Sequence, residues 1–396
     1  MRKINELIKA LCPKGVEYRR LEKCCNILDN KRKPVKKGAR EKGEYPYYGA
    51  NGIQDYVSDY IFDGKFVLVG EDGSVINVSG NPIVNWAEGK IWVNNHAHII
   101  EEIDGVSLRY LFHYLQTIDV TDLIHGNIPK LNQGDFKNLN IAIPPMPVQE
   151  EIVKILDKFS ELEAELEAEL EARQQQYNYY SEKIFNEETN KIEIGRLLKD
   201  KGYIRGPFGS ALVKKDMVKN GVPVYEQQHA IYNHRDFRYY ITKEKAEKLN
   251  RFKVETNDLI ISCSGTVGKV SIIKSTDTKG VINQALLILR VNMEKILPQY
   301  LKYYLESPIG YKSITANTNK SAQVNIANRN AIESIKIPLP SIPRQIKIVE
   351  ILNNFEKLIN DISEGLPAEI QLRKKQYKYY RNKLLSFKEL KLYEFK

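Results

Sequence analysis

Four short stretches of the sequence carry side chains at spacings that chemistry could use. Ser264-Gly265-Thr266-Val267-Gly268-Lys269 resembles a phosphate-binding loop, whose amides and lysine cradle a polyphosphate. Cys263 stands where that loop needs its first glycine, and Val270 stands where a hydroxyl would hold magnesium. Asn81-Pro82-Ile83-Val84 shares two residues with an amino-methyltransferase tetrad but lacks its second proline and its aromatic. His96-Ala97-His98 puts two imidazoles on one strand face without an evident third ligand. Asp72 followed by Glu88-Gly89-Lys90 has the form of a nuclease carboxylate–lysine pattern, which arises often by chance. None of the four is complete. The expectation is a chain with no catalytic residues, no metal and no cofactor of its own.

Other residues suit a polyanion. Basic and aromatic side chains interleave at Lys31, Arg32, Lys36, Arg40, Tyr47, Tyr48 and Asn51. A second group comprises Arg205, Phe208, Ser210, Gln227, Gln228, His229, Asn233 and Arg235. Cations would hold phosphates, while Asn, Gln, Arg and His can read base edges. Singly, each is better explained by a solvated loop. Together they point to DNA.

These two groups lie in the two copies of a tandem repeat. Ile141 to Phe159 reads IAIPPMPVQEEIVKILDKF, and Ile337 to Phe355 reads IPLPSIPRQIKIVEILNNF. Pro144, Pro147, Gln149, Ile152, Leu156 and Phe159 fall on Pro340, Pro343, Gln345, Ile348, Leu352 and Phe355. Gln176-Tyr177-Asn178-Tyr179-Tyr180 falls on Gln376-Tyr377-Lys378-Tyr379-Tyr380. Weaker echoes join Val67–Gly73 to Leu259–Gly265, Asn95-His96-Ala97 to Asn283-Gln284-Ala285, and Tyr110–Leu115 to Tyr300–Leu305. A period this long is a duplicated domain, not a solenoid.

Each copy is a globular module followed by a helix. The proline cluster at 144, 145 and 147 stops a strand and lets a helix start. Ile152, Ile155, Leu156, Phe159, Leu162 and Leu166 then step by three or four to about Phe185. The second helix is expected from Arg344 to Phe387, kinked at Gly365-Leu366-Pro367. Their apolar seams call for a partner, most simply each other, packed antiparallel. Three Glu-Leu-Glu-Ala units from Glu161 to Ala172 are too acidic to lie on phosphates, so they form a spacer or protein-facing surface. Tyr177, Tyr179, Tyr377 and Tyr379 are the expected partner-binding residues. The modules mix short β-branched runs with Gly, Asn and Asp turns. Phe66–Val69 and Asp258–Ile261 read as buried strands, and Leu108–Leu115 and Pro298–Ser307 as short helices.

The expected class is α+β: two globular domains in tandem, separated by two long antiparallel helices on a pseudo-twofold. Residues 1–143 and 188–339 form the domains, 144–187 the central helical region, and 340–396 the distal one. Lys and Arg total 60 against 50 Asp and Glu, an excess that suits an anionic partner. No apolar run is long enough to span a membrane. The opening MRKINELIKALCPKG is too polar for a signal peptide. Cys12, Cys24, Cys25 and Cys263 form no C-x-x-C pair and read as reduced thiols of a cytoplasmic protein.

The two proline-to-glutamine segments, the two Gln-Tyr-x-Tyr-Tyr motifs and Asp258–Lys269 resemble HsdS-type specificity subunits of type I restriction–modification enzymes. The resemblance covers nearly the whole chain. It implies that the two globular domains are target recognition domains, which together read a bipartite, asymmetric double-stranded DNA target, one half each. It implies helical regions that bind two modification (methyltransferase) subunits. Those partners would supply S-adenosylmethionine-dependent adenine methylation, and restriction/translocase subunits would add ATP- and Mg-dependent cleavage. Two alternatives stay open: the recognition portion of a fused restriction–methylation enzyme, and a tandem scaffold that does not bind DNA.

Overall fold

Pro145 and Pro147 flank the start of the longest element. In the computed structural model a single helix, α4, runs Met146–Glu187, 42 residues or ~63 Å at ~1.5 Å per residue. The structure describes residues 2–73, 75–124, 127–187, 189–315, 326, 328–361 and 363–390. Parts of the expected second module (316–325) and distal region (391–396) lie outside them.

The first half contains α1 (Arg2–Leu11), β1 (Glu17–Arg20), β2 (Asn26–Ile27), β3 (Lys42–Gly49), β4 (Gly52–Val57), β5 (Phe62–Gly70), β6 (Val84–Val93) and β7 (Ala97–Glu101). α2 (Leu108–Leu115), α3 (Gln133–Lys137) and β8 (Asn140–Ile143) precede α4. After α4 come β9 (Lys191–Glu193), β10 (Leu198–Arg205), β11 (Met217–Val218), β12 (Val222–Tyr225), α5 (Gln227–Ile231), β13 (Tyr240–Ile241) and α6 (Lys243–Lys248). β14 (Leu259–Ser262), β15 (Val270–Ile272), β16 (Val281–Ile282), β17 (Leu286–Val291), α7 (Pro298–Glu306), α8 (Pro308–Thr315), α9 (Arg329–Glu333) and β18 (Lys336–Pro338) follow. The chain closes with α10 (Ile342–Asn360) and α11 (Leu366–Leu384).

The expected kinked second helix is therefore two helices. Asp361 ends α10 in an extended conformation, and its carboxylate accepts from the backbone N–H of Ser363 and Glu364. Pro367 then lies in the first turn of α11, where its missing N–H costs nothing.

The chain divides into two compact units, 1–167 with 369–396, and 168–368, so α4 begins in one and ends in the other. The first unit holds a six-stranded sheet ordered β2-β7-β5-β6-β3-β4 and a β1-β8 pair. The second holds two four-stranded sheets, β10-β17-β14-β15 and β11-β13-β12-β16, and a β18-β9 pair. One frame recurs. β2-β7-β5 matches β10-β17-β14, all antiparallel, and the parallel pair β3/β6 matches β12/β16. Both faces of the central strands are covered: Val67 and Val69 point into one apolar cluster, Phe66 and Leu68 into another. Leu259 and Ile261 likewise oppose Ile260.

The duplicated glutamines show how each helix is fixed to its module. Buried Gln149 accepts from Ser107 N–H at 2.9 Å and donates to the carbonyls of Gly105 and Pro144. Gln345 accepts from Leu297 N–H at 2.9 Å and donates to Lys295 and Pro340. Tyr110 and Tyr300 also correspond, their hydroxyls donating to Ala142 O and Pro338 O. In the first unit α4 and α11 run antiparallel, with Phe159 stacked on Tyr380 and Lys374 bridging Glu163 and Glu167. In the second, Tyr180 packs on Phe355 of α10.

Candidate nucleic-acid interface

In the first unit the basic run follows β2 and wraps past the N-terminal end of β7. Lys31 and Lys36 are exposed. Arg32 is not a free cation. Its Nη1 donates to Glu71 Oε2 and Ala97 O, both at 2.6 Å, and its Nε to Asp29 O at 2.9 Å. Arg40 donates to Val35 O and Asp55, and lies 4.1 Å over the Tyr47 ring. Tyr47 is 1% exposed, its hydroxyl accepting from Val35 N–H, and Tyr48 is packed in the core. Arg32, Arg40, Tyr47 and Tyr48, expected from sequence to touch DNA, are thus engaged with partners inside the loop. Asn51 is exposed in the β3–β4 turn, where Gly52 supplies a φ of +91°.

Behind Arg32 lies an ionic cluster that sequence reading did not anticipate. His98 Nδ1 is 2.7 Å from Asp29 Oδ2, and its Nε2 donates to Leu131 O at 2.9 Å. Asp29, Glu71 and His98 bring one ligand atom each within 4.8 Å of one another. Both imidazole nitrogens are engaged and the Arg32 guanidinium already meets both carboxylates, so the chemistry is that of an internal ion network. Burial opposes ionisation of Asp29, but its hydrogen bonds from His98 and Ile99 N–H hold its pKa below the ordinary value. His96 instead pairs with Asp72 nearer the surface.

In the second unit Arg205 ends β10 beside Phe208, which is 62% exposed, and Ser210 is exposed too. Gln227 and Gln228 open α5, half-buried, with Gln227 Nε2 donating to Thr266 O. His229 is fully buried. Its Nδ1 accepts from Glu226 N–H, its Nε2 donates to Asp236 O, and burial lowers its pKa. Arg235 is consumed by Asp277, Ser271 and the carbonyls of His234 and Ile272. His229 and Arg235, also expected to touch DNA, therefore hold the loop from inside. Asn233 is exposed at φ +52°, accepting from Ser271 Oγ. Ser264–Lys269 joins the antiparallel strands β14 and β15, with Lys269 N–H on Ser262 Oγ, and precedes no helix.

The partner-binding tyrosines split by face. Tyr177 packs against Phe355, and Tyr377 places its hydroxyl 2.9 Å from His113 Nδ1. Both point into their own unit, and burial raises both pKa values. Tyr179 and Tyr379, two residues on, are 62% and 59% exposed. Among the described residues no helix is long and apolar enough to cross a membrane.

Two edges of polar residues on a shared frame are what comparison with known proteins must explain. The type I restriction modification DNA specificity domain matches residues 13–172 and 177–372. A Haemophilus influenzae chain assigned as a type I restriction enzyme specificity subunit is 36% identical over 401 residues, covering 96% of this chain and 98% of that one. The solved S subunit of a type I restriction–modification system from M. genitalium superposes with a TM-score of 0.54 at 15% identity, covering 94% of this chain and 96% of that one. A chain from a structural study of assembly and conformational transition in a type I system gives 0.59 at 14% identity, covering 94% and 98%. The chain belongs to the family of type I restriction–modification specificity subunits, the DNA-recognising and non-catalytic components of those systems.

Proposed function

We propose that the two modules, within 1–143 and 188–339, each read one half of a bipartite, asymmetric duplex target. One observation carries this. Tyr48 and Tyr225 are the last residues of the corresponding parallel pairings, yet the chain after Tyr48 turns into the β3–β4 hairpin, whereas after Tyr225 it enters α5. Equivalent places on one frame thus present different readers: Asn51 with Lys31 and Lys36 in the first module, and Gln227, Gln228, Arg205, Phe208, Ser210 and Asn233 in the second. Half-sites about one helical turn apart, ~34 Å, suit two modules on one DNA face.

The helical regions, 144–187 and 340–396, take the role of partner surface, with Tyr179 and Tyr379 facing outward. Duplication supports two modification subunits per chain. Those would bring S-adenosylmethionine and adenine methylation, and restriction subunits would bring ATP and Mg. The chain would work in the cytoplasm, where such partners meet DNA. Methylation-motif sequencing of cells carrying this chain and its modification subunits tests the reading. The expected motif is split and asymmetric; a single contiguous palindrome overturns it.

A further inference from the structure

Two turns, one in each unit, are built alike. Asn94 N–H donates to Tyr48 O at 3.1 Å, and Asn283 N–H to Tyr225 O at 2.9 Å. Asn94 Oδ1 accepts from His96 N–H at 2.8 Å, and Asn283 Oδ1 from Ala285 N–H at 3.0 Å. Glu71 N–H reaches His96 O, and Cys263 N–H reaches Ala285 O, both near the ends of the central strands. Each turn therefore presents one residue outward at its tip, Asn95 in the first unit and Gln284 in the second. Both are exposed carboxamides, and neither side chain has a partner among the described residues.

The basic segment of each unit is pressed against its turn. Lys33 N–H donates to Val93 O, and Arg32 to Ala97 O. In the second unit Gly206 N–H donates to Leu286 O, and a Cβ on Gly206 would stand 1.9 Å from Asn283 O. Exposed Lys214 shares a hollow of about 250 Å³ with Asn283 and Gln284. Glu226, in the same hollow, is neutralised by Arg238 at 2.8 Å.

We infer that Asn95 and Gln284 are equivalent phosphate-gripping residues, donating their amide N–H to the DNA backbone of the two half-sites. This rests on the DNA-reading role proposed above. The two modules differ where they meet sequence, so what they share must meet what two unlike half-sites share, the sugar–phosphate backbone. Backbone contacts fix register and orientation and carry no sequence information. A carboxamide offers two donors without a charge, so it can grip a phosphate without releasing counterions.

The test uses the chain with its modification subunits, bound to a duplex carrying its methylated motif and to a random duplex. Asn95→Ala and Gln284→Ala should each weaken both affinities by about tenfold, the worth of a hydrogen bond to a charged group. The methylated motif and the salt slope should not change. Asn95→Lys and Gln284→Lys should instead tighten both, and steepen the slope of log affinity on log salt by about 0.9. A change of motif at one position with random-duplex affinity intact makes these residues base readers and overturns the inference. So does wild-type binding that none of the four variants alters. If the wild-type complex binds no duplex, the DNA-reading role itself falls.

Discussion

His113 of α2 and Asp157 of α4 meet at 2.7 Å inside the first unit, where the second unit places Tyr303 and Asn353 at 2.6 Å. At these two positions only the first copy carries a histidine and a carboxylate, groups that titrate in the acid to neutral range. His113 is wholly buried, its Nε2 donates to Asp157, and its Nδ1 faces the Tyr377 hydroxyl. Burial outweighs the carboxylate, and the imidazole pKa is lowered from 6.5. Hydrogen bonds from His113 and Arg109 likewise lower Asp157 below 3.8, although burial works against them.

An acid-sensitive first unit follows. As pH falls below 6.5 the unfolded chain takes up a proton at His113 that the folded chain does not, so stability drops. Asp157 adds a further loss below 3.8. The double substitution His113→Tyr with Asp157→Asn copies the second unit. Urea midpoints measured from about pH 7.5 to about pH 5.5 should fall less for this variant than for wild type. Equal slopes would show that the buried imidazole does not govern the window.

The buried glutamines make a second comparison. Gln149→Leu leaves Ser107 N–H and two carbonyls without partners, and Gln345→Leu does the same to Leu297 N–H and its two carbonyls. Each should cost about 3 kcal/mol, since an unsatisfied buried group costs ~1–3 kcal/mol. Hydrogen exchange should localise the loss to α2 and the start of α4 for the first variant, and to α7 and the start of α10 for the second. A loss under 1 kcal/mol for either would mean that water or rearrangement replaces the amide.

What could be read from sequence, and what could not, divides by range. The proline-to-glutamine segments were legible because Gln149 and Gln345 act on backbone near their own helix starts as well as at a distance. The echo of Asn95-His96-Ala97 with Asn283-Gln284-Ala285 was out of register by one residue. Letter identity put Asn95 on Asn283, but hydrogen bonds to Tyr48 and Tyr225 put Asn94 there. Charge runs hide internal partners for a related reason. Nothing local in Lys31-Arg32-Lys33 reveals that Arg32 is claimed by Glu71, or that Arg235 is claimed by Asp277. Tyr177 and Tyr179 stand two apart on a helix, so they cannot share a face.

That division gives a third prediction. Lys31→Gln should leave stability unchanged and flatten the slope of log affinity on log salt by about 0.9, the loss of one phosphate contact. Arg32→Gln should behave in the opposite way. It removes the guanidinium shared by Asp29 and Glu71, leaving Asp29 to His98 and Glu71 to Lys130, and should destabilise the fold by about 3 kcal/mol, a cost typical of breaking a buried ion pair. Thermal melts together with duplex binding at several salt concentrations separate the two. If Arg32→Gln changes the salt slope without changing stability, Arg32 leaves its internal partners to meet DNA.

The acidic units of α4 supply the last prediction. Glu161 to Ala172 repeats a four-residue unit three times within one continuous helix, and the helix passes from the first unit to the second at residues 167 and 168. Deleting Glu165–Ala168 removes about 6 Å of rise and sets the far end about 40° from full register, at ~1.5 Å and ~3.6 residues per turn. The leucine seam nearly keeps its facing. The next unit moves into the gap, so Glu171 takes the place of Glu167 beside Glu163, and the pairing of α4 with Lys374 of α11 retains both carboxylate positions. Neither module is touched, so both half-site sequences should persist. With ~3.4 Å per base along a strand, the gap between them should change by one or two base pairs. A solubilising surface alone would leave the gap as it was. Methylation-motif sequencing with wild-type and deleted chains, each with its modification subunits, decides between the two, and the complex built on the deleted chain should first be shown to methylate at all. An active deletion with an unaltered gap removes the helix from any role in spacing.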